Sequence, residues 1–223
     1  MEKTKTCRRG LKRLLAFLLS ALCLLGLLPM SAFAMEPGQT ASSWLGDQYV
    51  GSDGQHYYSP APYTYLVYNS DGTMDVRTSS GGSAYRHYML TVSDGTSHQV
   101  YCVESGIPYN TSDNTYTSES GTNSQYLNLL PAEARRCITL TAIYGWKPGA
   151  SLPVSGINED DYKMATQIIL WEYQQQLRSD PYSRHGNGHA SADQYYSVIA
   201  GRPAEKAYNW ILAQVASHST VPS

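Results

Sequence analysis

Several residue types are scarce once the first 34 residues of this sequence are set aside. Both phenylalanines, Phe17 and Phe33, lie in that segment, so any later core must be built from Tyr, Trp, Leu, Ile and Val. Basic residues are also few, because six of the 16 Lys and Arg but only one of the 18 Asp and Glu precede residue 35. The remaining 10 basic and 17 acidic residues give a net charge of −7. This charge argues against nucleic acid or an anionic membrane as a partner.

Long hydrophobic runs are confined to residues 1–34. A basic stretch, Lys3–Arg13, precedes the apolar run Leu14–Leu28, and Ala32-Phe33-Ala34 is a small-x-small cleavage site. The run is short for a membrane span. The pattern predicts a secretory signal peptide that is removed before Met35, and therefore a secreted or cell-surface protein. The mature length of 223 − 34 = 189 residues suits one hydrophobic core.

Cysteine is scarce as well. Of four cysteines, Cys7 and Cys23 leave with the predicted signal, whereas Cys102 and Cys137 remain. In an exported chain, two cysteines commonly form one disulfide. A Cys102–Cys137 disulfide is therefore one open interpretation.

Strand-like segments occupy the first half of the mature chain. Two Ser-Asp-Gly-Thr sequences, at 70–73 and 93–96, separate neighbouring segments, and Asp-Gly favours tight hairpin turns. We therefore expect an antiparallel meander that ends near Cys102, with irregular residues at 35–62 and a long polar loop at 105–129. Its strands are predicted at Tyr63–Tyr68, Met74–Thr78, Tyr85–Val92 and His98–Val103.

Three helices are expected to follow. Pro131 and Gly145 bound a helix at Ala132–Tyr144, Asn158 is a good N-cap for a helix at about 159–178, and Pro203 opens the last helix, 203–217. The middle helix is apolar on all sides around Gln167, which indicates burial on most faces. The predicted fold class is α+β, with an antiparallel β-sandwich or barrel-like part and a helical subdomain that carries Gln167. The predicted domain spans 63–217, and 218–223 is a linker-like tail.

Cys102 and Gln167 together suggest a specific chemistry. A thiol and a glutamine amide can condense, with loss of ammonia, into an internal thioester. The reaction needs the thiolate at attack distance, a stabilised oxyanion and exclusion of water. Tyr101 and Trp171 could form a dry wall. Glu104 could deprotonate an incoming amine, or could be a solvated carboxylate.

The motifs around these two residues resemble those of thioester domains from Gram-positive surface adhesins. Tyr-Cys-Val-Glu-x-Gly (101–106) is followed, 167 − 102 = 65 positions later, by a glutamine within Ala-Thr-Gln-Ile-Ile-Leu-Trp (165–171). The resemblance covers roughly 85–217. Ser105 and Ile169 depart from it, because proline and a small residue are frequent at those positions.

The resemblance implies a covalent adhesin domain. The expected bond joins Cys102 to Gln167, with Tyr101, Glu104, Thr166 and Trp171 as supporting residues. It would acylate lysine on a host surface or matrix protein once per chain, which is covalent binding and not enzymatic turnover. No cofactor is implied. The final residues, 219–223, resemble the start of a linker, so we expect either further protein beyond them or a short secreted member of the class.

Other functions remain open on the sequence alone. A Cys102–Cys137 disulfide could staple a module that binds protein or glycan without covalent attachment, through exposed tyrosines. A cysteine peptidase or amidase would use Cys102 as nucleophile and His185 or His189 as base. The same two histidines have H-x₃-H spacing, but the glycines between them predict a loop and not a metal-binding helix.

Overall fold

A computed structural model of the chain describes residues 37–60, 62–69, 71–92, 94–103, 105–106, 115–118 and 124–221. The strands are β1 (Thr40–Gln48), β2 (Tyr58–Ser59), β3 (Thr64–Tyr68), β4 (Met74–Thr78), β5 (Ser83–Ala84), β6 (Arg86–Val92), β7 (Ser97–Val100) and β8 (Thr115–Thr117). The helices are α1 (Gln125–Asn128), α2 (Ala132–Tyr144), α3 (Glu159–Gln174) and α4 (Pro203–Ser217), with a 3₁₀ turn at Tyr196–Val198. The predicted α+β class is confirmed.

The described strands form three separate antiparallel sheets and close no barrel. A four-stranded sheet has the order β7-β6-β1-β8, and β2-β5 and β3-β4 form two-stranded sheets. Both expected hairpins are present, with Gly72 and Gly95 at φ +83° and +85°. The prediction of a single meander is wrong. In a meander the β3-β4 hairpin would pair with β6, but β1 pairs with that edge of β6 instead, and β3-β4 form a separate sheet. The pairing of β1 with β6 runs from Ala41↔Val92 to Gln48↔Arg86.

Residues 35–62 were expected to be an irregular lead-in, and this expectation is wrong for 40–48, which form β1. Small residues hide the alternation, because Ala41 and Ser43 are the residues that β1 buries most completely. The segment after β1 also caps α3. The Val50 amide donates to Asp160 at 3.1 Å, and the Ser52 amide donates to Asp161 at 3.0 Å.

The expected long loop at 105–129 also contains regular structure. β8 pairs with β1 from Thr40↔Thr117 to Ser42↔Thr115, and α1 forms one helical turn at 125–128. A three-residue edge strand carries too short a pattern to be read from sequence.

The helix predictions are largely confirmed. α2 and α4 have the predicted bounds, and α3 begins after a capping box between Asn158 and Asp161. α3 ends four residues earlier than predicted, and Gln176, just beyond its C-cap, has a left-handed φ of +55°. No helix among the described residues is long and apolar enough to cross a membrane.

α3 lies at the centre of the domain. Every residue from Asp161 to Gln174 is buried, α2 and α4 pack against the helix, and β3 is bonded to its C-terminal end through Tyr68 Oη, which donates to the Gln174 carbonyl at 3.0 Å. Its buried Glu172 accepts hydrogen bonds from Arg178 at 3.0 Å and from Tyr208 at 2.6 Å. Such pairing makes the buried carboxylate of Glu172 tolerable in a core. α3 therefore holds Gln167 in a fixed, buried position.

Candidate functional site

The structure brings Cys102 and Gln167 into direct contact. The Cys102 backbone N–H donates to Gln167 Oε1 at 2.9 Å, and Gln167 Nε2 donates to the Cys102 carbonyl oxygen at 2.6 Å. Cys102 lies two residues beyond the end of β7 and is half-buried, whereas Gln167 is 1% exposed at the middle of α3. The buried amide is thus satisfied by the backbone of one residue 65 positions away.

This reciprocal pairing orients the amide for reaction with its partner. Both hydrogen bonds involve Cys102, so the amide carbon of Gln167 faces the Cα atom that carries the Cys102 side chain. The Cys102 N–H already points at the oxygen that would become negative if sulfur attacked that carbon. A preset backbone donor of this kind stabilises an oxyanion. The structure therefore places a backbone donor on the amide oxygen of Gln167, within the residue that carries the thiol.

Tyr101 and Thr166, the residues preceding the pair, tie the strand end to the helices. Tyr101 Oη donates to the Trp146 carbonyl at 2.8 Å, and the Trp146 amide donates to Thr166 Oγ1 at 2.9 Å. Gly145 lets this turn approach α3, because a Cβ atom there would lie 2.4 Å from the Thr166 methyl carbon. Thr166 is therefore linked to Tyr101 through the Trp146 backbone, and its expected supporting role stays a prediction.

Three tyrosines that sequence reasoning did not single out lie around Cys102. Burial raises the pKa of Tyr49, Tyr63 and Tyr88, and a negative charge on the nearby Cys102 would raise each pKa further. Tyr88 also hydrogen-bonds to Cys102. It pairs with Val100 across β6 and β7, so Tyr88 and Cys102 project from the same face. Only the strand register reveals this neighbour.

Trp171 forms part of an aromatic wall one turn beyond Gln167. Its ring lies 5.4 Å from that of Tyr85 and 5.4 Å from that of Tyr195, and all three residues are buried. Ile169 is fully buried in the same core, so the fold accommodates the larger side chain. Trp171 thus lies in a packed aromatic cluster, and its expected role in excluding water from the bond stays a prediction.

Gly106, the last residue of the Tyr-Cys-Val-Glu-x-Gly motif, has a structural reason for being glycine. Its φ is +81°, and an added Cβ would lie 2.3 Å from the Tyr65 ring. A residue without a side chain can therefore take this conformation while Tyr65 of β3 packs against it. Glu104 lies outside the described residues, and its predicted role stays a prediction.

A polar chain that the sequence did not suggest joins the sheet to the same helix. His87 Nε2 lies 3.2 Å from Asp160 Oδ1, His87 Nδ1 lies 3.0 Å from Gln99 Oε1, and Gln99 Nε2 donates to Tyr49 Oη at 3.1 Å. Burial would raise the pKa of Asp160, but hydrogen bonds from His87 and the Val50 amide hold it below its usual value. These polar contacts hold α3 to the sheet two turns before Gln167.

Cys137 of α2 is the alternative partner considered for Cys102. No disulfide joins Cys102 to Cys137, both of which the structure describes. Cys137 is buried within α2, where its Sγ lies 3.8 Å from Glu133 Oε1 and burial raises the thiol pKa. The expected disulfide alternative is therefore not supported.

The histidine loop is shaped by its own backbone. Asn187 Oδ1 accepts from the amides of His189 and Ala190, and Gly188 has a φ of +85°. His185 Nδ1 lies 3.3 Å from the Gly186 carbonyl oxygen. The loop prediction is confirmed, and within the described ranges no cluster of His, Cys, Asp or Glu could hold a metal ion.

An open cavity of about 490 Å³ is lined in part by Tyr63. Thr78 of β4 and the loop residues His189, Asp193 and Gln194 also line it. Neither Cys102 nor Gln167 is among its lining residues.

A family model described as Thioester domain matches residues 99–217, more than half of the chain and the part that holds both Cys102 and Gln167. No curated protein and no solved structure matches the chain.

Proposed function

The chain belongs to the thioester domain family, and from this premise we propose that Cys102 and Gln167 form an internal thioester that acylates amines on a target. The observation that carries the proposal is the reciprocal pairing of the Gln167 amide with the Cys102 backbone, at 2.9 and 2.6 Å. Attack by sulfur on the amide carbon forms the bond and releases ammonia. A target amine then takes the acyl group and leaves a thiol at Cys102.

The reaction is a single covalent event. Because the acyl carbon belongs to Gln167 itself, the amide that forms stays on the chain and the thioester is not regenerated by release of product. We therefore propose covalent binding with a limit of one adduct per chain, and not an enzyme with turnover. No step of this reaction calls for a cofactor.

The chain itself offers few lysines that could compete for the bond. The mature chain has Lys147, Lys163 and Lys206. Lys163 lies one turn before Gln167, and its ammonium is 3.5 Å from both Glu159 and Asp160 and 4.2 Å from the centre of the Trp146 ring. These contacts hold the Lys163 ammonium on two carboxylates and an aromatic ring.

Intact-mass measurement of the secreted domain tests thioester formation. We expect a deficit of one ammonia that is absent in Cys102→Ala and in Gln167→Ala, whereas Cys137→Ala keeps it. Methylamine should add at Gln167 and expose one thiol. A deficit of two hydrogens that Cys137→Ala abolishes would instead mean a disulfide and would refute the thioester.

The proposed target is a host surface or matrix protein that presents lysine. Target adducts should survive boiling in detergent, should not exceed one per chain, and should be missing from Cys102→Ala. Complexes that dissociate fully in denaturant would favour a non-covalent module, and repeated hydrolysis of an amide or peptide would favour a peptidase.

We propose that the protein acts outside the cell, either secreted or on the cell surface of a Gram-positive bacterium. The support is the sequence pattern of residues 1–34, with its basic start, its apolar run and its Ala-x-Ala site. Sequencing the N-terminus of the exported protein should find Met35 first. A mature protein that retains residues 1–34 would contradict cleavage.

A further inference from the structure

We propose that the backbone carbonyl of Cys102 orients the attacking nitrogen and makes this site selective for primary amines over secondary amines. The inference rests on the proposed function, because it concerns the thioester that Cys102 and Gln167 would form. Its basis is the 2.6 Å hydrogen bond from Gln167 Nε2 to the Cys102 oxygen, which shows where a nitrogen bonded to this acyl carbon lies.

Formation of the thioester and its reaction with an amine are one reaction run in opposite directions. In formation, the Cδ–S bond forms, the Cδ–N bond breaks, and the thiol proton leaves with ammonia. In the reverse direction, the amine nitrogen bonds to Cδ, the Cδ–S bond breaks, and a proton passes from nitrogen to sulfur. An incoming amine therefore uses the position that ammonia leaves, beside the Cys102 carbonyl.

The selectivity follows from a count of protons on nitrogen. In the tetrahedral intermediate, a nitrogen from a primary amine carries two protons, so one can remain on the Cys102 carbonyl while the other passes to sulfur. A nitrogen from a secondary amine carries one proton and cannot serve both acceptors. Its second alkyl group would then face the Cys102 carbonyl, which would have no hydrogen-bond donor. Because Gln167 is only 1% exposed, water cannot readily replace that donor, and the unpaired carbonyl is costly.

The same backbone residue would hold both ends of the reacting group. The Cys102 N–H donates to the acyl oxygen at 2.9 Å, and the Cys102 carbonyl accepts from the nitrogen on the other side of the acyl carbon. The two contacts together fix the orientation of the acyl plane. Because Cys102 makes both contacts through its backbone, the selectivity does not depend on which side chains surround the thiol. The lysine ε-amine is a primary amine and meets the requirement.

Ethylamine and dimethylamine provide a matched pair of probes, because they contain the same heavy atoms and differ in the number of N–H groups. Rates of adduct formation by intact mass, at equal concentrations of unprotonated amine, would be compared with rates on a small-molecule thioester in the same buffer. We expect the ratio of ethylamine to dimethylamine rates to be larger on the protein by about tenfold, the effect of one lost hydrogen bond. Equal ratios on both thioesters would overturn the proposal.

Isopropylamine controls for size. It is bulkier than dimethylamine but primary, so on the protein it should lose little relative to ethylamine after the same normalisation. If isopropylamine and dimethylamine are disfavoured alike, steric exclusion explains the result and the proposal fails.

A backbone change tests the carbonyl directly. Semisynthesis with the α-hydroxy acid analogue of Val103 turns the Cys102–Val103 peptide bond into an ester, which weakens the Cys102 oxygen as an acceptor and keeps every side chain. Val103 is about half exposed, so the change should be tolerated. The preference for primary amines should fall in this chain, and an unchanged preference would overturn the proposal. Failure of methylamine to react with the native chain would instead refute the thioester function.

Discussion

Hydrolysis of the thioester would leave a carboxylate in place of the Gln167 amide, and Gln167→Glu installs that product directly. One carboxylate oxygen can still accept from the Cys102 N–H. The other would take the place of Nε2, which now lies 2.6 Å from the Cys102 carbonyl oxygen, so two acceptors would meet without a proton between them. A protonated carboxyl group could donate to that carbonyl and restore the bond. We therefore expect the pKa of the introduced carboxyl group to be raised by both burial and this contact.

The size of the effect follows from the environment of Gln167, which is 1% exposed. Full burial raises carboxyl pKa values by up to 3–5 units, and the retained N–H donor offsets part of this, so about 2–3 units is a reasonable expectation. At ~1.36 kcal/mol per unit, the ionised group would cost about 3–4 kcal/mol of unfolding free energy. Between the unfolded value near 4.3 and the raised folded value, the folded state binds more protons, so stability falls as pH rises.

Chemical denaturation between pH 4 and 9 measures this cost. The comparison should be made in a Cys102→Ala background, with and without Gln167→Glu, so that neither chain can form the thioester and only the amide differs. We expect the two chains to approach each other in stability near pH 4 and to separate as pH rises. A constant difference across this range would refute the assigned orientation of the amide on Cys102.

Three further changes test the surroundings of the pair. Thr166→Val keeps the buried shape but removes the acceptor of the Trp146 amide, so it should lower the unfolding free energy by about 1–3 kcal/mol in denaturant titrations. Its control, Thr166→Ser, keeps the hydroxyl and should lose only about 1 kcal/mol for the missing methyl group. Cys137→Ala should reduce stability by about 1 kcal/mol and leave the rate of methylamine addition unchanged, because Cys137 is buried in α2 and takes no part in the reaction; a lost adduct would contradict this. Asp160→Asn should destabilise the domain by about 1–3 kcal/mol at pH 7, because it replaces the charged acceptor of the Val50 amide and the partner of His87. Since the pKa of Asp160 is lowered in the folded state, that difference should shrink as pH falls below the unfolded value near 3.9, and equal differences at pH 7 and pH 3 would exclude the ionised carboxylate as its source.

The parts of the fold that could be predicted are those with local causes. α2 has its predicted bounds because Pro131 and Gly145 act within one turn of its ends, and the Asn158 capping box is closed by Asp161, three residues away. The two hairpins follow from Asp-Gly turns in the same way. β1 escaped prediction because its buried residues are small and its partners, β6 and β8, lie far along the chain.

For the site, the sequence alone determined the two reactive residue types, their order, and the burial of Gln167 on a helix that is apolar on all sides. Only the tertiary structure decided that the Gln167 amide pairs with the backbone of Cys102, and that Tyr49, Tyr63 and Tyr88 lie within electrostatic reach of Cys102. The physical reason is that a helix cap or a turn is closed by neighbours in the chain. The pairing of Cys102 with Gln167 spans 65 residues and depends on how β7 and α3 pack against each other.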